Sequence, residues 1–291
     1  MSLKPETVNA WDDYVRCASL RMKDRLNGNG PFLWIDEAPE RAAKVRHTEI
    51  LVAPVDPHVP LKVPSGLIHD WIGAAFIPNA SIHDVLSIVR NYARYGEFYR
   101  PGVIEAKPII TGEAADEFSM VLMNKTIFSK TALQGDYQTS YVRMGGRRMY
   151  SISRTTRMQE IAEYGTAEQH LLPKDEGTGL IWRAYSITRL DERDGGVYIE
   201  VEAIILSRDI PPGLRWIADP IVRRVSRTSL TTALRQTRDA VACRLSPSVA
   251  AQTSCTDGGR IVGKLAIPSR VEPSSDLVNS RWESSRHARP R

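Results

Sequence analysis

The chain has 291 residues, 42% of them apolar and 25% charged, an ordinary soluble globular balance with room for one large domain or two small ones. No run approaches the ~18 apolar residues of a membrane-spanning helix, and Cys17, Cys243 and Cys255 match no metal or redox spacing, so neither a disulfide framework nor a metal centre is expected. The net charge of +5 is unevenly placed: residues 213–245 are net +5, the tail from 246 is net +3, and residues 1–212 are net −3.

Pro5 suits the first turn of a helix, and Val8, Trp11, Val15, Ala18, Met22 and Leu26 then recur at helical spacing. Asn27-Gly28-Asn29-Gly30-Pro31 stops that helix. The opening Met1-Ser2-Leu3-Lys4-Pro5 carries no secretory pattern. A soluble, cytoplasmic chain is the default expectation, with export open if a signal has been removed. Thr48 to Val55 reads as a short strand. Prolines 54, 57, 60 and 64 make an extended connector up to Gly66.

Leu67–Ile77 is a strand closed by Pro78. Asn79-Ala80-Ser81 offers a cap to a helical stripe of Ile82, Val85, Leu86, Val89, Tyr92 and Ala93, and Pro101-Gly102 turns the chain. Antiparallel strands follow at Val103–Thr111, Glu117–Phe128, Asp136–Met144 and Arg147–Ile161, punctuated by Gly112, Gly135 and Gly145-Gly146. A polar loop covers 165–179. Leu180–Leu190 and Val197–Ser207 form a hairpin around residues 191–196. Pro211-Pro212 then stops the sheet, and residues 213–245 make one amphipathic helix with Leu214, Ile217, Ile221, Val225, Leu230, Leu234, Thr237 and Val241 on roughly one side. Residues 246–291 lack periodicity and read as a disordered tail.

The fold class expected is therefore α+β, a curved antiparallel sheet wrapped around a long C-terminal helix. The domains are 1–65, an N-terminal helix and connector; 66–245, the sheet and helix; and 246–291, the tail. The stretches GLIHDWIGAAFIPNASIHDVLSIVRNYARYGEFYRPGV and GGVYIEVEAIILSRDIPPGLRWIADPIVRRV give 66–245 a pattern that resembles the helix-grip fold of the START-like, or SRPBCC, superfamily. That superfamily includes lipid-transfer domains, allergen-type hormone binders, and polyketide cyclases or aromatases. The resemblance implies a cavity between sheet and helix for a hydrophobic small molecule or lipid. It carries over no catalytic residue and no cofactor.

Strand side chains alternate between faces. Val197, Ile199, Val201, Ala203 and Ile205 share one face of the last strand, where burying apolar area is favoured. With Leu190 opposite Val197, Trp182, Ala184, Ser186 and Thr188 join that face. Small residues beside one aromatic suit a cavity wall better than a filled core. Trp216, Ile217 and Ile221 would cover it from the helix. The alternative is that this face packs solidly on the helix with no cavity. The other face, with Tyr185, Glu200 and Glu202 near Arg183 and Arg189, reads as an exposed ion ladder. In a rival arrangement Tyr185, Glu202 and Arg208 make polar ligand contacts, or serve as acid and base groups of a cyclase of the same fold acting on a polyketide-like substrate. A third reading is a partner-binding module that leaves Val8, Trp11 and Val15 exposed.

The six histidines show no metal-ligand spacing, and His69 and Asp70 must point to opposite faces, which argues against a dyad. Gly28-Asn29-Gly30 ends a helix where a phosphate cradle would open one. The arginine-rich helix suggests transient attraction to an anionic membrane surface. Nucleic acid is not expected, because no aromatic stacking or DNA-binding motif accompanies the arginines.

Overall fold

The computed structural model describes residues 1–125, 130–210, 213 and 215–246; the expectation for 246–291 therefore falls almost wholly outside the described residues. In chain order the elements are α1 (Pro5–Leu26), a 3-10 turn (Trp34–Glu37), α2 (Pro39–Arg46), β1 (Leu51–Pro54), β2 (Leu61–Val63), β3 (Gly66–Pro78) and α3 (Ile82–Val89). A second 3-10 turn (Tyr92–Arg94) and α4 (Tyr95–Phe98) follow. The remaining elements are β4 (Val103–Thr111), β5 (Ala115–Lys125), β6 (Lys130–Met144), β7 (Arg148–Ala162), β8 (His170–Leu171), β9 (Arg183–Arg193), β10 (Gly196–Arg208) and α5 (Arg215–Leu245). The strands form one antiparallel sheet in the order β1-β3-β10-β9-β7-β6-β5-β4, with β2 added on β3 and β8 on β7. Strand, short helices, antiparallel meander and long C-terminal helix is the expected helix-grip order.

Helices cover both faces of this sheet. On one face α1 buries Trp11, Ala18 and Met22 against Ile68, Ala74, Phe76, Ile187, Ile204 and Leu206. The 3-10 turn and α2 close the same cluster with Leu33, Ile35 and Val45. The first helix is thus an intramolecular layer, and the partner-binding reading that required an exposed Trp11 is corrected: Trp11 is only 6% exposed. Pro39 starts α2 at its first turn, with Glu40 favourable to the helix N-terminus. Neither α2 nor the 3-10 turn is expected from periodicity, because eight residues give barely two turns to read.

On the other face α5 packs on β3 through Leu230 and Leu234. A Cβ added at Gly73 would lie 2.8 Å from Leu234 Cδ1 and 3.1 Å from Leu230 Cδ2, so glycine sets the closeness of helix and sheet. Leu230, Leu234, Thr237 and Val241 are buried, whereas Ile221 and Val225 are each 43% exposed. The expected single stripe therefore breaks. Five residues separate Val225 from Leu230, which at 100° per residue turns the face by about 140°.

α3 is closed by a capping box: Ser81 Oγ accepts from Asp84 N, and the Asp84 carboxylate accepts from Ser81 N. The helical stripe ends at Val89, earlier than the expected Ala93. The β9–β10 hairpin is also tighter than expected. Asp194 (φ 56°) and Gly195 (φ 77°) both adopt positive φ, the Asp-Gly two-residue turn that matches strand twist. Val197 therefore faces Glu192, not Leu190, and Leu190 faces Ile199. A shift of two keeps every side chain on its expected face. Cys17 is a free, exposed thiol, whereas Cys243 is disulfide-bonded, which cysteine spacing did not signal.

Candidate functional site

The two sheet faces differ in how completely they are covered. On β10, Val197 and Ile199 are buried against the α5 side with Trp71, Ala75, Leu190 and Leu234. Further along the same face Val201, Ala203 and Ile205 are only half-buried, while the alternate residues Glu202, Ile204 and Leu206 are buried beneath α1. β9 repeats the pattern: Ala184, Ser186 and Thr188 are half-buried, and Tyr185, Ile187 and Arg189 are buried. Ser151 and Ser153 of β7 extend the half-buried patch. Central strands ordinarily lose both faces to packing, so this patch stands out as a half-buried strip, or trough, on the α5 side. At its lower end His69 Nε2 lies 2.9 Å from Ser207 Oγ, and His69 sits opposite Ile205.

One wall of the α5 face is polar and built by α3 and its following turn. Tyr92 Oη donates to Asp116 Oδ2 at 2.8 Å and lies 3.0 Å from Tyr141 Oη. Arg90 grips the same carboxylate through Nε (2.9 Å) and Nη2 (2.7 Å), and its guanidinium stacks 4.6 Å from the Tyr141 ring. Burial raises the Tyr141 phenol to about 12, so it acts as a neutral hydroxyl. Phe118 stacks between Tyr92 and Tyr137, with centroids at 4.1 and 5.0 Å.

The α1 face holds a buried ion cluster. Arg189, 1% exposed, donates from Nη1 to Glu200 Oε1 (3.0 Å), from Nη2 to Glu202 Oε2 (2.8 Å), and from Nε to Met22 Sδ (3.2 Å). Arg21 of α1 donates to Glu202 Oε1 (3.0 Å) and Asp70 Oδ2 (3.1 Å), and Tyr14 donates to Asp70 Oδ2 (2.8 Å). Asp70 Oδ1 is buried with no hydrogen-bond partner among the described residues. Burial first, and the nearby Glu202 charge second, push the Asp70 carboxyl up to about 7. Burial also raises Glu200 above the usual carboxylate range.

This placement corrects several expectations. The ion ladder is not exposed: α1 lies on it, and the guanidiniums of Arg189 and Arg21 compensate carboxylates that would otherwise be too costly to bury. Tyr185 and Glu202 lie on that α1 face, away from the trough. Tyr185 Oη pairs with Ser19 Oγ at 3.0 Å. Trp182 also packs into the α1-side cluster, because β9 begins only at Arg183 and strand alternation does not extend back to 182. Arg208 is exposed at the end of β10, its backbone N–H donating to Gly179 O. Ile221 is too exposed to cover the trough. The side chains of Trp216 and Ile217 lie outside the described residues. Of the expected site residues, the α5-side trough brings together Ala184, Ser186, Val201, Ala203 and Ile205. Sequence reading missed Ser151, Ser153 and Thr139, and Tyr141 was only a weak candidate of unset facing; their place follows only from the β6–β7–β9 register. His69 and Asp70 do lie on opposite faces, as alternation requires.

Two open surface depressions, of about 490 and 310 Å³, lie elsewhere; neither includes a residue of the trough. Among the described residues no group of His, Cys, Asp and Glu could hold a metal ion, and no helix is long and apolar enough to cross a membrane.

No protein-family model matches the sequence, and no curated protein matches it. Solved structures with a similar fold include a STAR-related lipid transfer protein fragment from Xanthomonas axonopodis, at 16% identity and a TM-score of 0.43 over 66% of this chain and 98% of that one. Human STARD10 is similar at 9% identity and a TM-score of 0.43, over 74% of this chain and 83% of its own. The Zhui aromatase/cyclase from Streptomyces sp. R1128 is similar at 7% identity and a TM-score of 0.42, over 61% and 96% respectively. At these identities and scores the likeness carries no argument about ligand or reaction, and the fold stands on this chain's own element order and packing.

Proposed function

We propose that this chain binds or carries a hydrophobic or amphipathic small molecule, or a lipid, on the α5 side of its sheet. The observation that supports it is the half-buried run Val201, Ala203 and Ile205, next to Ala184, in the middle of the sheet. Apolar area left uncovered there would gain roughly 25 cal/mol per Å² on being covered by a ligand. Binding is favoured over cyclase chemistry because two of the expected acid and base groups, Tyr185 and Glu202, are engaged under α1. The exposed Ile221 and Val225, with Arg223, Arg224 and Arg227 on the same half of α5, support transient contact with an anionic membrane surface.

The test is native mass spectrometry of the purified protein, followed by solvent extraction of anything bound. The expected result is a co-purifying apolar or amphipathic molecule that is lost on Ala203→Trp. An empty protein that also fails to bind apolar fluorescent probes would sink the reading.

A further inference from the structure

The trough is not uniformly apolar, and its polar groups are ordered. Strand register places Asp116, Thr139, Ser153, Ser186, Ala203 and Trp71 in one row across the sheet. The adjacent row is Tyr141, Ser151, Thr188, Val201 and Gly73. Five hydroxyls, from Thr139, Ser151, Ser153, Ser186 and Thr188, thus adjoin one another on one face, flanked by small apolar residues on one side and by tyrosine on the other.

A face meant only to pack on a helix would carry branched aliphatic residues. Thr139 Oγ1 donates to Ser153 Oγ at 2.8 Å, but the hydroxyls of Ser151, Ser186 and Thr188 make no hydrogen bond among the described residues. At the far end of the first row Trp71 Nε1 is buried without an acceptor among the described residues, in a residue only 6% exposed. At the other end the single Tyr92 proton goes to Asp116. Tyr141 Oη turns its own proton into the same cluster, toward Tyr92 or Asp116, which leaves its lone pairs as acceptors. A plain hydrocarbon laid on this surface would strip water from several hydroxyls and replace none of those bonds, and sites built to hydrogen-bond reject analogues that lack the partner.

We propose that the ligand is an oxygenated amphiphile: it turns hydroxyl or carbonyl groups toward Ser151, Ser153, Ser186 and Thr188 and its apolar edge toward Val201, Ala203 and Ile205. Neighbouring strands are about 4.8 Å apart and same-face residues about 6.8 Å apart along a strand, so its oxygens are spaced on the order of 5–7 Å. This selectivity rests on the trough being the binding surface, and the two ideas can fail separately.

The probes are a matched pair of equal shape, flavone and a trihydroxyflavone, titrated against the full chain by fluorescence. The expected result is at least tenfold tighter binding of the trihydroxylated probe. That preference should disappear in the Ser151→Ala/Ser186→Ala/Thr188→Val variant while flavone binding is kept, and Ala203→Trp should abolish binding of both. Equal binding of the two probes, or a preference untouched by the triple variant, with both still blocked by Ala203→Trp, overturns the oxygenated class and leaves the trough standing. Binding of neither probe, or binding of both that survives Ala203→Trp, removes the trough and this proposal with it. Thermal melts followed by circular dichroism confirm that each variant folds, and Ala184→Phe replaces Ala203→Trp as the filling substitution should the latter unfold.

Discussion

Asp70 shows how a single residue's surroundings set its chemistry. It is fully buried on β3 and faces α1, with Glu202 beside it on β10, Arg189 on β9, and Arg21 and Tyr14 above it on the helix. Three carboxylates share two guanidiniums, and Asp70 Oδ1 has no hydrogen-bond partner among the described residues, so burial and the Glu202 charge favour the protonated Asp70 carboxyl. Its folded pKa, about 7, lies above the ordinary value of about 3.9. Between those values the folded state binds a proton that the unfolded state does not. Stability therefore falls as pH rises from about 4 to 7, and the loss is complete above the folded pKa. Asp70→Asn should remove most of that slope and raise stability at pH 8 by roughly 2–4 kcal/mol. Urea unfolding at pH 5 and pH 8 measures it; an unchanged slope would show that Asp70 is ionised throughout.

Among the elements, those with long periodic patterns are legible in the sequence itself. α1, β3, β4, β7, β9, β10 and α5 lie within a few residues of their expected bounds, because 3.6- and 2-residue periods persist over many positions. Facing on β9 and β10 is legible too, since alternation survives a register shift of two. What covers each face is not. An acidic and basic strand face reads as solvated unless the sequence reveals that a helix supplies Arg21 to Glu202 from 181 residues away. The trough's hydroxyls escape for a related reason: they lie on three strands, and only register brings them together. At the helix–sheet contact, Gly73→Val would drive a side chain into Leu230 and Leu234, whose nearest atoms lie only 2.8–3.1 Å from where its Cβ would sit. It should cost about 1–3 kcal/mol and speed amide exchange in α5 more than in α1. Equal exchange in both helices would mean that α5 is held by other contacts.

For the whole molecule, the arrangement assigns different work to the two faces of one sheet. The α1 face is filled, charged and compensated, and so fixes the sheet. Among the described residues the α5 face is filled where α3 and the Leu230 to Val241 stretch of α5 dock, and it leaves a half-buried trough beside a basic helix with Ile221 and Val225 exposed. That arrangement predicts sedimentation with phosphatidylserine vesicles at low salt, reduced severalfold by Arg223→Gln/Arg224→Gln/Arg227→Gln and by about 0.5 M salt. Equal sedimentation with neutral phosphatidylcholine vesicles would contradict an electrostatic contact.

The most direct measurement is thiol accessibility in a Cys17→Ser background. Ala203→Cys and Ile204→Cys place a thiol on opposite faces of the same strand, one residue apart. The structure predicts that the thiol of Ala203→Cys reacts with a maleimide under native conditions, while that of Ile204→Cys reacts only on unfolding. An unreactive position 203, or equal rates at both positions, would contradict an open trough on the α5 face.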